Sequence, residues 1–77
     1  MTDRLWNYLA TELDTPHSYI EIETENGVFE VEPCYSWDDS EIIDFVVYHG
    51  SYATNCREEP DIWFWEEIEE HIFGGTN

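Results

Sequence analysis

The chain contains no lysine and only two arginines, Arg4 and Arg57, to set against 19 aspartates and glutamates, so its formal net charge is −17 over 77 residues. The missing positive charge excludes a basic patch, and with it direct binding of nucleic acid or nucleotide. Docking on a membrane surface is disfavoured for the same reason, because anionic lipid repels such a chain. There is no Gly-rich phosphate loop, and no apolar run comes near the roughly 20 residues that cross a bilayer. Met1 to Leu13 holds one Arg and no apolar core of signal-peptide length, so the expectation is a soluble, cytoplasmic protein. Cysteine is sparse as well. Cys34 and Cys56 allow one disulfide, but in a chain without an export signal two free thiols are expected.

The metal-site patterns are also missing. His17, His49, His71, Cys34 and Cys56 show no paired zinc spacing. Asp38, Asp39 and Glu41 lack the alternating oxygen ligands and the turn glycine of a calcium loop. No metal and no other cofactor is expected. Paired carboxylates do acid/base work only where a substrate cleft pushes their pKa values apart. A chain this short buries only about 60% of its unfolded surface and has little structure to spare for such a cleft. No catalytic residues are assigned, and the chain is not expected to be an enzyme.

What is present argues against a disordered acidic tail. Hydrophobic residues make up 42% of the chain, and four Trp, five Tyr and four Phe are interleaved with Ile and Val, enough to pack a core. Solubility alone asks for a net charge of magnitude about 2–8. The excess therefore points to a partner that carries positive charge.

Leu5, Leu9 and Leu13 recur at helical spacing beside Trp6, with Thr2 or Asp3 placed to cap, so a helix is expected from Thr2 to Leu13. Pro16 marks its end. Ser18 to Thr24 alternates as a strand, with Ile20 and Ile22 on one face and Tyr19, Glu21 and Glu23 on the other. Asn26-Gly27 suits a type I′ hairpin turn. That turn sets Glu23 opposite Glu30, Ile22 opposite Val31 and Glu21 opposite Glu32. Pro33 is expected to end or bend the second strand, followed by a polar loop, Ser36 to Ser40, holding Trp37, Asp38 and Asp39. A third strand spans Ile42 to His49, with the face free of Asp expected inside and Val46 and Tyr48 beside the acidic side chains. Gly50 to Glu59 reads as a loop. Pro60 fits the first turn of a last helix, which Gly74 and Gly75 stop. The expected fold is α+β, one domain over residues 1–77, in the order α-β-β-β-α, with two helices on a three-stranded antiparallel sheet.

The leading candidate site is the strand face of Glu21, Glu23, Glu30 and Glu32, extended by Glu25 and Asp44. Side chains two apart on a strand are about 6.8 Å from each other and adjacent strands about 4.8 Å, so these carboxylates form a lattice. Directly opposed like charges destabilise a sheet, which folding alone would not select. Duplex DNA carries a phosphate charge for every ~1.7 Å of its axis, and clustered carboxylates approach that density. A second candidate is the last helix, where Glu66, Glu67, Glu69 and Glu70 have no Lys or Arg at pairing distance. Phe64, Trp65, Ile68 and Ile72 form its apolar stripe. Trp63 falls outside the stripe, either as an exposed interface anchor or packed on the first helix.

In size, charge and a carboxylate-studded small α+β fold, the whole chain resembles the DNA mimics encoded by phages and mobile elements. That class includes anti-restriction proteins, uracil-DNA glycosylase inhibitors and many anti-CRISPR proteins. The resemblance implies an inhibitor acting in the host bacterial cytoplasm on a basic DNA-binding protein, a CRISPR-Cas effector or a restriction enzyme. Apolar anchors such as Trp37, Tyr48, Tyr52 or Trp63 would then supply specificity. An immunity protein or antitoxin that plugs a basic nuclease toxin uses the same physics. A small assembly protein whose acidity serves solubility is the alternative from another class. The chain is compatible with a monomer or a homodimer.

Overall fold

The computed structural model describes residues 1–74. Its first helix, α1 (Asp3–Glu12), is capped by Thr2, whose Oγ1 accepts the Leu5 amide at 3.1 Å. Leu5, Leu9 and Leu13 are buried, as the spacing requires, and Trp6 meets Phe45 edge-on at 4.7 Å. After Pro16 the chain enters an antiparallel sheet of β1 (Ile20–Thr24), β2 (Gly27–Tyr35), β3 (Ile42–His49) and β4 (Tyr52–Asn55), arranged in sequence order. The last helix, α2 (Trp63–Phe73), ends at Gly74, whose φ of 80° is the left-handed cap a glycine adopts freely. Gly75, the other expected stop, lies outside the described residues.

The class is α+β, with two helices on one face of the sheet, but the sheet has four strands where three were expected. β4 occupies part of the stretch read as a loop. Gly50 (φ 62°) and Ser51 close a two-residue turn that sets His49 opposite Tyr52. Positive φ at the first turn position alone is the II′ pattern, for which Gly-Ser is a signal.

The first hairpin also differs from expectation. Its turn residues are Glu25 and Asn26, with Thr24 paired to Gly27, Ile22 to Phe29 and Glu21 to Glu30. Neither Glu25 nor Asn26 has positive φ, so the I′ geometry, which requires it at both central positions, does not form; Gly27, the first residue of β2, has φ 117°. The inward and outward sets survive, because the pairing moved by two residues and the side-chain period is two.

Pro33 does not end β2. The strand runs on to Tyr35 with an irregularity between Cys34 and Tyr35. Pro33 lies past the last β1 pair, Ile20 with Val31, where one side of β2 is a free edge that tolerates a missing N–H. Pro60 sits in a turn ahead of α2 rather than in its first turn, and Ile62 occupies the N-cap position.

Two rows of inward side chains cross the sheet: Ile20, Val31, Val47 and Thr54, then Ile22, Phe29, His49 and Tyr52. Phe45 and Val47 are fully buried, so the Asp-free face of β3 is the inner one from Phe45 onward. Ile43, expected inside with them, is 41% exposed, and Ile42 packs on the core instead, where the register with β2 shifts between Cys34 and Tyr35. Leu5 and Leu9 of α1 and Phe64, Trp65 and Ile68 of α2 close over these rows. Each such side chain contributes about 1.5–3 kcal/mol on burial. Tyr35 ties the layers together by donating its hydroxyl to the Leu13 carbonyl at 2.9 Å. Both helices lie on this side; among the described residues the other face of the sheet is covered only around Asp44, by the turn that follows β4.

Candidate functional site

The alternation that buries Ile20, Ile22, Phe29 and Val31 turns Glu21, Glu23, Glu30 and Glu32 outward together. Glu21 stands directly opposite Glu30, Glu23 opposite Val28, and Glu32 opposite Val46. Glu21 and Glu23 on β1 are exposed, while Glu30 and Glu32 on β2 are half-buried between neighbouring strands. Across the third strand, Tyr48 is opposite Glu30, and its hydroxyl donates to Glu32 Oε1 at 2.9 Å.

This hydrogen bond, with partial burial and the nearby negative charge, pushes the Tyr48 phenol above its ordinary pKa. Tyr52 shifts the same way because its hydroxyl donates to Glu59 Oε1 at 2.6 Å. Burial, with Asp14 and Asp39 nearby, raises Tyr35 as well. Raised folded pKa values mean that these phenols favour the fold fully below the ordinary tyrosine pKa of about 10 and lose that contribution as pH rises through the folded values. A phenolate absorbance titration is expected to show three tyrosines ionising above the ordinary range, and Tyr48→Phe to remove one of them. Ordinary titration of Tyr48 in the folded protein would mean that the Glu32 contact does not persist.

Asp44 does not join the acidic face. Strand alternation points it outward, opposite Cys34, yet it is only 3% exposed. Its Oδ1 accepts the Phe45 amide at 2.8 Å and the Arg57 amide at 3.3 Å, pinning the turn after β4 over β3. The carboxylate is spent inside the fold. Cys34 and Cys56 are free. Burial is the main reason both thiols are held above their usual pKa, with the Asp44 carboxylate adding to it, so little reactive thiolate forms.

Tertiary packing joins the strand patch to part of the helix patch. Glu23 and Glu25 share an open groove of about 660 Å³ with Glu67, Glu70 and His71, formed between the β1–β2 turn and the C-terminal half of α2. Carboxylates therefore continue from Glu32 and Glu30 on β2 through Glu21 and Glu23 on β1 to Glu67 and Glu70 on α2. Glu66 is separated from this band. It lines a different cleft, of about 330 Å³, with Met1, Pro60, Trp65 and Glu69. Among the described residues, no group of three or more His, Cys, Asp or Glu side chains is arranged to hold a metal ion.

Trp63 is half-exposed, with its ring edge-on to Phe29 at 5.8 Å, His49 at 5.6 Å and Phe64 at 4.8 Å. These ring partners lie on β2, β3 and α2, not on the first helix. Trp37 is 96% exposed at the β2–β3 turn. The turn is braced beneath it by Asp38 Oδ1, which accepts from the Ser36 and Ser40 hydroxyls at 2.7 Å each and from the Ser40 amide at 3.1 Å. Those hydrogen bonds hold the Asp38 carboxyl below its usual pKa. Sequence reading marked Trp37 as an anchor but missed this brace; the Ser-x-Asp-x-Ser spacing was its available signal. It also missed β4, which sets Ala53 opposite Tyr48 and Asn55 opposite Val46. Among the described residues, no helix is long and apolar enough to cross a membrane. Comparison with known protein families, with curated proteins and with solved structures finds no match to this chain.

Proposed function

We propose that this protein is an inhibitor that occupies the basic DNA-binding surface of a bacterial defence complex in place of DNA, the target being a CRISPR-Cas effector or a restriction nuclease. One observation carries the reading: the carboxylate band wraps the β1 edge from the open sheet face to α2 in a chain with no lysine. A surface that needed only solubility would intersperse the two signs. Here Glu21 and Glu30 are held opposite each other at a cost to the sheet, the kind of local conflict that marks a functional surface.

The mechanism is competition. The field of a −17 protein steers it toward a Lys/Arg-lined channel, and preformed carboxylates then take the places of phosphates. Charge alone binds any basic protein, so Trp37 on its braced turn, with half-exposed Tyr48, Tyr52 and Trp63, supplies shape and apolar contact. The protein has no catalytic role, needs no cofactor and acts in the bacterial cytoplasm.

The test is affinity capture from a phage-sensitive bacterial lysate at low and at high salt. Recovery of a CRISPR effector or restriction enzyme, released both by salt and by competing DNA, is the expected result. Recovery of a single small basic nuclease would assign the protein as an immunity factor instead. A partner indifferent to salt would overturn electrostatic mimicry and favour an assembly role.

A further inference from the structure

We infer that the open face of the sheet docks a basic amphipathic helix of the partner protein; the inference rests on the reading of this face as the docking surface. The face has two halves of different chemistry. On β1 and β2 it presents Glu21, Glu23, Glu30 and Glu32, with exposed Val28 opposite Glu23. On β3 and β4 it presents Val46, Tyr48 and Ala53, with Asn55 opposite Val46, beside a shallow hollow of about 370 Å³ that Glu58 and Glu59 also line. Tyr48 joins the halves, since its ring belongs to the apolar side while its hydroxyl donates to Glu32 at 2.9 Å.

The dimensions select the occupant. Four strands at about 4.8 Å spacing make a face roughly 14 Å wide between its outer strands, against about 10–12 Å for a helix with its side chains. One helix lying along the strands therefore covers the face, with its Arg and Lys over β1 and β2 and its apolar side chains over β3 and β4. A partner strand would instead seek an unpaired sheet edge. A second copy of this chain is disfavoured, because it would bring a second set of the same four glutamates against the first.

The inference is tested on the full-length ¹⁵N-labelled protein with two synthetic helical peptides of about 18 residues. Both carry the same arginines along one face; one has leucine along the other face, and the second has alanine there, which preserves charge and helicity. The leucine peptide is expected to bind about ten-fold more tightly and to hold at ~300 mM salt, where ionic attraction is screened. It should shift the amides of Glu30, Val46, Tyr48 and Ala53, and Val46→Ser should reduce its advantage over the alanine peptide. Equal binding of the two peptides at every salt concentration would overturn the inference, as would shifts confined to the groove of Glu25, Glu67 and Glu70. Concentration-dependent broadening of the same amides without peptide would assign the face to self-association and overturn it too. Any of these failures leaves the lysate capture free to succeed, so the docking mode and the inhibitor reading fail separately.

Discussion

Replacing Gly27 with alanine is expected to destabilise the fold by about 2–3 kcal/mol, through backbone strain and a steric collision together. The φ of 117° at Gly27 lies in a region that side-chain-bearing residues rarely enter. A methyl group there would also stand 2.8 Å from His49 Cε1. That ring has little freedom to give way. It stacks on Phe29 with centroids 4.2 Å apart and planes within 7°, and its Nδ1 lies 3.2 Å from the Val28 carbonyl. Moving it disturbs Phe64 and Trp63, which meet it edge-on at 5.0 and 5.6 Å. In a chain of this size each kcal/mol moves the thermal midpoint by roughly 4–8 °C, so a drop of about 10–20 °C is expected.

Gly50→Ala is the control. Gly50 also has positive φ, at 62°, but nothing lies within 4 Å of an added methyl, so only the backbone cost of about 1–2 kcal/mol applies. In a His49→Ala background, the cost of Gly27→Ala should fall to its backbone part alone, since the collision is gone. Equal midpoints for the two single variants would mean that the His49 stack does not constrain the turn.

This stack also shows where local sequence runs out. Asn26-Gly27 is a strong hairpin signal, and a hairpin forms there, but Gly27 serves as the close-packed first residue of β2 rather than as a turn residue. His49, 22 positions later, decides that, and no local pattern contains it. Elements whose burial follows a simple period were legible: β3 spans Ile42–His49 as expected, and the leucines of α1 are buried. β4 was not legible, because Tyr-Ala-Thr-Asn at an edge alternates weakly and buries little. The candidate site divides the same way. The outward set Glu21, Glu23, Glu30 and Glu32 follows from the strand period, whereas the loss of Asp44 to the interior depends on the Arg57 amide arriving from another turn. Likewise, that Glu67 and Glu70 meet Glu23 while Glu66 does not is set by how α2 lies over β1.

Glu21→Lys is expected to strengthen the fold and, on the proposed DNA-mimic reading, to weaken inhibition, and the opposed signs make it the sharpest probe of the acidic face. In the sheet it turns a like-charged cross-strand pair, Glu21 with Glu30, into an attractive one, a gain of about 0.2–1 kcal/mol. Against a basic channel the same change introduces repulsion. Losing a close charge pair at an interface costs about 2 kcal/mol or more, so affinity for the captured target should fall at least ~30-fold. Reversing Glu30 and Glu32 together should cost more, since it also removes the acceptor of the Tyr48 hydroxyl. Glu12→Lys supplies the comparison. Glu12 is exposed in the last turn of α1, and its reversal leaves the same net charge as Glu21→Lys. The two variants therefore feel nearly the same long-range steering, and the difference between them reports position rather than total charge. Competition binding against duplex DNA, run beside thermal melts, reads both effects. Equal loss from Glu12→Lys and Glu21→Lys would remove the strand face from the site and leave net charge as the sole determinant. A more stable Glu21→Lys with undiminished inhibition would mean that the carboxylate lattice is only a solvated surface. A more stable protein that no longer competes with DNA is the expected outcome, because the substitution relieves within the sheet the repulsion between Glu21 and Glu30 that, in the unsubstituted protein, a basic partner lying over both would relieve.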